Sequence, residues 1–336
     1  GGLSDRIGVR KIAFLGTIVL SLMPILISFQ SNLRVIYVLY LLLGAIGFAC
    51  LFTPMLALTG LWFSRRKGLA LGIVTAGGAI GQGLIPFIQR LMTSAWGWRE
   101  AMFYLGVTTF VILMPMLFLL KPPPVLARID YKAKKSNDNL WGMPHTISIP
   151  WLALAGIFCC ICMMAPLMHL VPLGMDIGLT PETATSLLFV LMVSGVFGRV
   201  FFGSLGDRIG GLNAYFIASF GQTLLVFWFT QTNSLILLYC LSALFGFTFS
   251  GVMTCLIICA REAAPIRITG LAAAIVLAMG WVGMGIGGYQ AGYFYDLNGN
   301  YTVSYGNAAL AGMVNLAIVF ALIWYRRQSR EVSQPI

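Results

Sequence analysis

Charge is scarce in this chain. Only 9% of its 336 residues are Asp, Glu, Lys or Arg, against about 25% in soluble domains, which excludes an ordinary water-soluble fold. Histidine occurs twice and acidic residues ten times, and every acidic residue falls outside the apolar runs, in predicted loops or tails. With no embedded carboxylate, no nucleophile beside a base and no metal-ligand set, the sequence argues against a membrane-embedded enzyme. The seven cysteines all lie inside predicted helices. Cys159-Cys160-x-Cys162 lacks a second ligand cluster at finger-like spacing, so packing between helices is expected, with no metal and no cofactor. Long polar stretches are missing except at 121–148. That leaves no appendage of the kind a signalling receptor needs.

What fills the chain instead is apolar. Hydrophobic residues make up 59% and the mean hydropathy is +0.90. Runs of ~20 apolar residues, enough to cross a bilayer, recur at about 12–30, 35–62, 70–90, 101–120, 149–173, 183–203, 212–231, 235–259, 268–290 and 306–325. Lipid offers the backbone no partners, so each run is expected to be a helix. The expected class is an all-α polytopic membrane protein. The formal charge of +11 then reads as a membrane address rather than a nucleic-acid surface. With residue 1 on the cytoplasmic side, alternate loops collect seventeen of the 21 Lys and Arg, including Arg65-Arg66-Lys67 and the cluster from Lys121 to Lys135. This is the positive-inside bias. A monomeric multi-pass membrane protein surrounded by lipid is expected.

The chain also repeats itself. Gly1, Leu3, Asp5, Arg6, Ile7 and Gly8 return as Gly203, Leu205, Asp207, Arg208, Ile209 and Gly210, an offset of 202. Gly68, Leu69, Ala70, Ile73, Gly78, Gly81 and Gly83 return at the same offset, from Gly270 to Gly285. Two matches at one spacing indicate a tandem duplication, with a unit too long for a solenoid and suited to the paired halves of a transporter. Two predicted helices precede the turn in the second half and none in the first. A fragment lacking its first two helices is therefore expected, with ten of twelve present. Residues 1–120 are read as an N-terminal bundle remnant, 121–148 as a cytoplasmic linker and 149–336 as a six-helix C-terminal bundle.

The turn GGLSDRIGVRK resembles the signature loop of the major facilitator superfamily, which follows the second helix of each half and reads roughly G-x-L-x-D-R-x-G-R-K. The first copy departs at Val9, and the second loses its basic end at Gly211 and Leu212. WFSRRKGLALGIVTAGGAIGQGLIPFI, residues 62–88, is similar to the fifth-helix signature of the monocarboxylate transporters. Gly97-Trp98-Arg99 and the Tyr-rich stretch from Gly292 to Tyr305 are similar to that group's outer loops. The resemblance to the monocarboxylate and oxalate/formate branch implies a fold of two pseudo-symmetric helix bundles. It also implies a secondary active transporter of small monocarboxylates or related organic anions that works by alternating access. The modest length of the linker 121–148 resembles microbial members and implies a microbial cytoplasmic membrane; a co-transported proton is a further candidate partner, and the loops at Asp5-Arg6 and Asp207-Arg208 are expected to latch the inner gate.

Arg199 is the one charge inside a predicted helix, and it has no counter-ion in the sequence around it. A charge there costs at least ~2.5–3.5 kcal/mol, and a guanidinium binds carboxylate through two parallel bonds. The resemblance implies the same role, because monocarboxylate transporters carry an arginine eight residues before the position of Asp207. Animal relatives carry an aspartate four residues before it, where this chain has Gly195. The competing reading is that Arg199, some five residues from the expected helix end, snorkels or packs; an exporter of neutral or amphipathic compounds would then be the function. His169, flanked by Pro166 and Pro172, is read either as a proton relay or substrate contact or as a packing residue, with the prolines placed to break the helix. By the superfamily's cavity-lining pattern, Thr53, Gln82, Ser250 and Tyr289 are the further substrate-site candidates.

Overall fold

A computed structural model describes residues 9–63, 66–121, 141, 143–265 and 268–332, without the side chains of 53, 57, 60, 61, 67 and 329–332. The described residues form α1 (Val9–Ser28), α2 (Leu33–Leu42), α3 (Ala49–Trp62), α4 (Lys67–Trp96), α5 (Trp98–Phe118), α6 (His145–Asp176), α7 (Pro181–Ile209), α8 (Gly211–Val226), α9 (Leu235–Glu262), α10 (Thr269–Asn298) and α11 (Thr302–Val332). A π-helical turn, Leu43–Phe48, joins α2 to α3, and a 3-10 turn, Phe227–Thr230, follows α8. Since α2 and α3 cross together, ten apolar helical segments are long enough to span a membrane. No strand occurs among the described residues.

All ten apolar runs are helical, and most helices continue beyond them. The extensions carry the acids that were read as loop residues: Asp176, Asp207, Glu262 and Asp296 sit in or near the last turns of α6, α7, α9 and α10. Hydropathy marks the lipid-facing length, whereas the helix persists into the polar zone. α6 runs unbroken through Pro150, Pro166 and Pro172, so the expected break beside His169 does not occur; neighbouring helices absorb what proline disrupts. Single glycines separate successive helices at two corners, Gly97 at φ 90° and Gly210 at φ 86°. Side chains with a Cβ are disfavoured in that region.

Contacts divide the chain into two compact units. One comprises the described residues of Gly1–Ser64 and Leu84–Lys132. In it α1 packs on α5, where a Cβ on Gly106 would come within 2.5 Å of the Ser21 carbonyl, and Met23, Ile27 and Leu39 form a small core.

The other unit comprises the described residues of Arg65–Gly83 and Ala133–Ile336. It therefore takes in the first half of α4 together with α6–α11. Its core is continuous and built on two tight helix pairs, α7 with α9 and α6 with α10. Small residues make both possible: Gly198 and Gly246 face backbone across α7 and α9, and a Cβ on Gly287 would sit 2.7 Å from the Ile161 carbonyl. The cysteine triplet lies in this packing. Cys159, Cys160 and Cys162 are buried and free, with Gln222 Nε2 2.9 Å from Cys159 Sγ. The linker also delivers a buried anchor. Trp141 is 1% exposed and donates from Nε1 to Glu262 Oε2 at 3.0 Å, while Glu262 Oε1 accepts the Gly211 N–H at the start of α8.

Candidate substrate site

The site grows from the contact between α7 and the first half of α4, within the second unit. α7 begins at an N-cap, Thr180, whose hydroxyl accepts the Thr183 N–H, followed by Pro181 at a position where no amide hydrogen is needed. Along α4 the small residues Gly68, Gly72 and Gly83 meet Gly203, Arg199 and Met192 of α7 in reverse order, so the two segments run antiparallel. A Cβ on Gly72 would lie 2.5 Å from the Arg199 carbonyl, and one on Gly83 would lie 2.7 Å from Met192 Cβ. Only glycine allows this approach.

At the end of the contact, Asp207 caps α4. Its Oδ1 accepts the Gly68 N–H at 2.8 Å and its Oδ2 the Leu69 N–H at 3.0 Å. A carboxylate at a helix N-terminus satisfies free amides and faces the positive end of the dipole. Arg208 is exposed beside it. Asp5 and Arg6, the corresponding pair in the first copy of the loop, lie outside the described residues.

Arg199 sits on this contact and is 6% exposed. α7 continues past its apolar run to Ile209, and the Arg199 side chain turns onto α4 instead of following α7 toward the headgroups. Snorkelling does not describe it. Nη1 donates to the backbone carbonyl of Thr75 on α4, and Nη2 lies 3.5 Å from Gln82 Oε1. Nε is buried without a partner. Gly78 leaves the room, since a Cβ there would lie 3.2 Å from Nη1. Among the described residues no carboxylate pairs with Arg199. The Nε–Nη2 edge, the one a carboxylate grips with both oxygens, is thus the under-satisfied one.

The remaining candidates divide. Gln82 joins Arg199 directly. Ser250 is fully buried on α9, and its hydroxyl has no partner. It fills the place where a side chain on Gly195, one turn before Arg199, would go, which explains physically why residue 195 carries none. His169 belongs to a different corner, where its ring nitrogens meet the Gly288 carbonyl and the Tyr301 hydroxyl. Tyr289 is 77% exposed and stacks on Tyr293. Thr53 lies on α3, with its side chain outside the described atoms. Two residues escaped the sequence reading: the Thr75 hydroxyl lies 3.2 Å from that of Thr254, both buried. The one available signal was the spacing of Thr254, a turn beyond Ser250 on α9.

The sequence model of the Major Facilitator Superfamily matches residues 1–287. This chain belongs to the major facilitator superfamily. It is accordingly a membrane transporter of small molecules and not an enzyme. Monocarboxylate transporter 13 of Bos taurus is 28% identical over 360 residues, covering 99% of this chain and 78% of that protein. Monocarboxylate transporter 12-B of Danio rerio is 29% identical over 238 residues, 61% of this chain and 49% of that protein; the chain thus spans about half the length of this relative. Among solved structures, the E. coli fucose:proton symporter FucP superposes with a TM-score of 0.64 at 16% identity, over 96% of this chain and 85% of that one. That likeness concerns the fold alone.

Proposed function

We propose that this transporter carries small monocarboxylates or related organic anions by alternating access, with Arg199 holding the carboxylate. The observation that carries the reading is the buried guanidinium whose Nε–Nη2 edge lacks a full set of acceptors. A carboxylate supplies two acceptors and the missing counter-charge at once. Its arrival competes with Gln82 for Nη2, and Ser250, whose hydroxyl is unpartnered, offers a donor on the neighbouring helix. Names of relatives in the monocarboxylate branch support the same substrate class. In this reading the Asp207 cap on α4 is the latch of the inner gate, with Asp5 and Arg6 in the equivalent role. Residues 1–120 and 149–336 rock about the linker, and the protein works as a monomer in the cytoplasmic membrane of a microbe.

A second reading draws on the Thr75 contact. If the guanidinium serves only to fasten α7 to α4 through that carbonyl, the chain exports neutral or amphipathic compounds and Arg199 is structural. Uptake of labelled lactate, pyruvate, formate and oxalate by cells expressing the protein separates the two, with Arg199→Lys alongside and surface expression checked. Lysine keeps the charge but cannot present two parallel donors. Loss of one acid's uptake at normal expression, by roughly 10–100-fold for about 1.4–3 kcal/mol of lost binding, is the expected result. Uptake of none, or unchanged uptake by the variant, sinks the carboxylate reading.

A further inference from the structure

His169 lies on α6 two turns before the helix end at Asp176, and its surroundings fix its chemistry. Nε2 is 3.0 Å from the Gly288 carbonyl oxygen on α10, and Nδ1 is 3.4 Å from the Tyr301 hydroxyl. A carbonyl oxygen only accepts, so Nε2 carries a hydrogen and donates it. In the neutral ring Nδ1 is then the bare nitrogen, and the Tyr301 O–H donates to it. Tyr301 keeps that hydrogen firmly: burial first, then the carboxylates of Asp176 and Asp296, push its phenol up to about 12.

Around this pair stand Tyr295, stacked on Tyr301 with ring centroids 4.3 Å apart, and Tyr305, edge-on to Tyr301 at 6.2 Å. Tyr295 lies beside the Asp176 carboxylate. The titratable groups on this corner are thus three phenols and two carboxylates, Asp176 and Asp296. Among the described residues no lysine or arginine bonds to the ring.

We propose that Nδ1 of His169 is a proton-binding site, distinct from the place where the anion is held. Uptake of one proton from water forms a single new bond, Nδ1–H, and breaks none in the protein. Nδ1 turns from acceptor to donor, its hydrogen points to the Tyr301 oxygen, and the phenol hydrogen swings off the ring. Both ring bonds then come from a cation and become charge-assisted, which roughly doubles their strength. Protonation therefore tightens the corner that joins α6 to α10 and to the turn after it. The site does not depend on what Arg199 binds and is tested without any substrate.

The chain has two histidines, so His145→Gln leaves a single imidazole; the unsubstituted protein gives the same reading from the second of its two ring signals. Purified protein with isotope-labelled histidine, held in lipid nanodiscs, is titrated by nitrogen NMR between about pH 5 and pH 8. The Nε2–H tautomer at the alkaline end, converting reversibly to imidazolium on acidification, is the expected result. A ring that stays neutral throughout, or an Nδ1–H tautomer, overturns the proposal.

Discussion

Replacing Asp207 by asparagine tests the junction of α7 with the start of α4. In the native protein the two carboxylate oxygens take the Gly68 and Leu69 N–H groups at 2.8 and 3.0 Å, two of the four amides that a helix cannot pair in its own first turn. Asparagine offers one oxygen, so at most one bond survives, and its NH2 group faces the other N–H. The negative charge at the positive end of the dipole is also lost. Loss of a cap costs ~0.5–2 kcal/mol and loss of the dipole interaction ~0.3–1 kcal/mol. The side chain is exposed, so solvent screening keeps both near the lower end. About 1–2 kcal/mol in total corresponds to roughly 5–30-fold in the opening of that turn. Amide hydrogen exchange read by mass spectrometry over 66–72 measures this directly. Exchange should accelerate by that factor in the variant, with α9 as an unaffected internal reference. Native exchange rates at Gly68 and Leu69 in the variant would refute the cap and, with it, the latch built on it.

Gly195→Ala places a methyl group against Ser250 Oγ and within 3.3 Å of the Gly246 carbonyl. It should destabilise the α7–α9 pair by ~1–3 kcal/mol, seen as a lower melting temperature. Ser250→Gly in the same chain should recover most of that loss, and strictly additive effects would show that the two residues do not meet. Trp141→Phe removes the donor to Glu262 and leaves a smaller buried ring. A loss of ~1–2 kcal/mol in thermal stability is expected, and none at all would mean that the indole bond does not hold the linker end in place.

The sequence made some of this architecture readable because of lipid, and hid other parts for equally physical reasons. Ten apolar runs became ten helical segments because a bilayer leaves the backbone no alternative. Arg199 stood out because a charge within such a run is rare. Gln82 was recognisable as a polar residue on a glycine-rich face. Thr75 and Thr254 were not, because a threonine alone in a helix commonly bonds its own backbone and the partner here is 179 positions away. Glu262 looked like a loop residue because hydropathy ends where the headgroups begin, while the helix that carries it does not. Trp141 was hidden in the most polar stretch of the chain. Its burial depends on a carboxylate more than a hundred residues later.

One consequence of α4 concerns how a gene for this protein can be divided. The helix is continuous from Lys67 to Trp96, yet the compact units part between Gly83 and Leu84, three residues before Pro86. A cut in the coding sequence at the linker therefore does not release two self-sufficient pieces. One fragment carries off the segment 65–83, while Gly203, Arg199 and Met192, which pack against it, stay on the other. Each product inherits a bared face shaped for a mate encoded elsewhere, and reassembly depends on that segment finding α7 before a lipid tail or a second copy does.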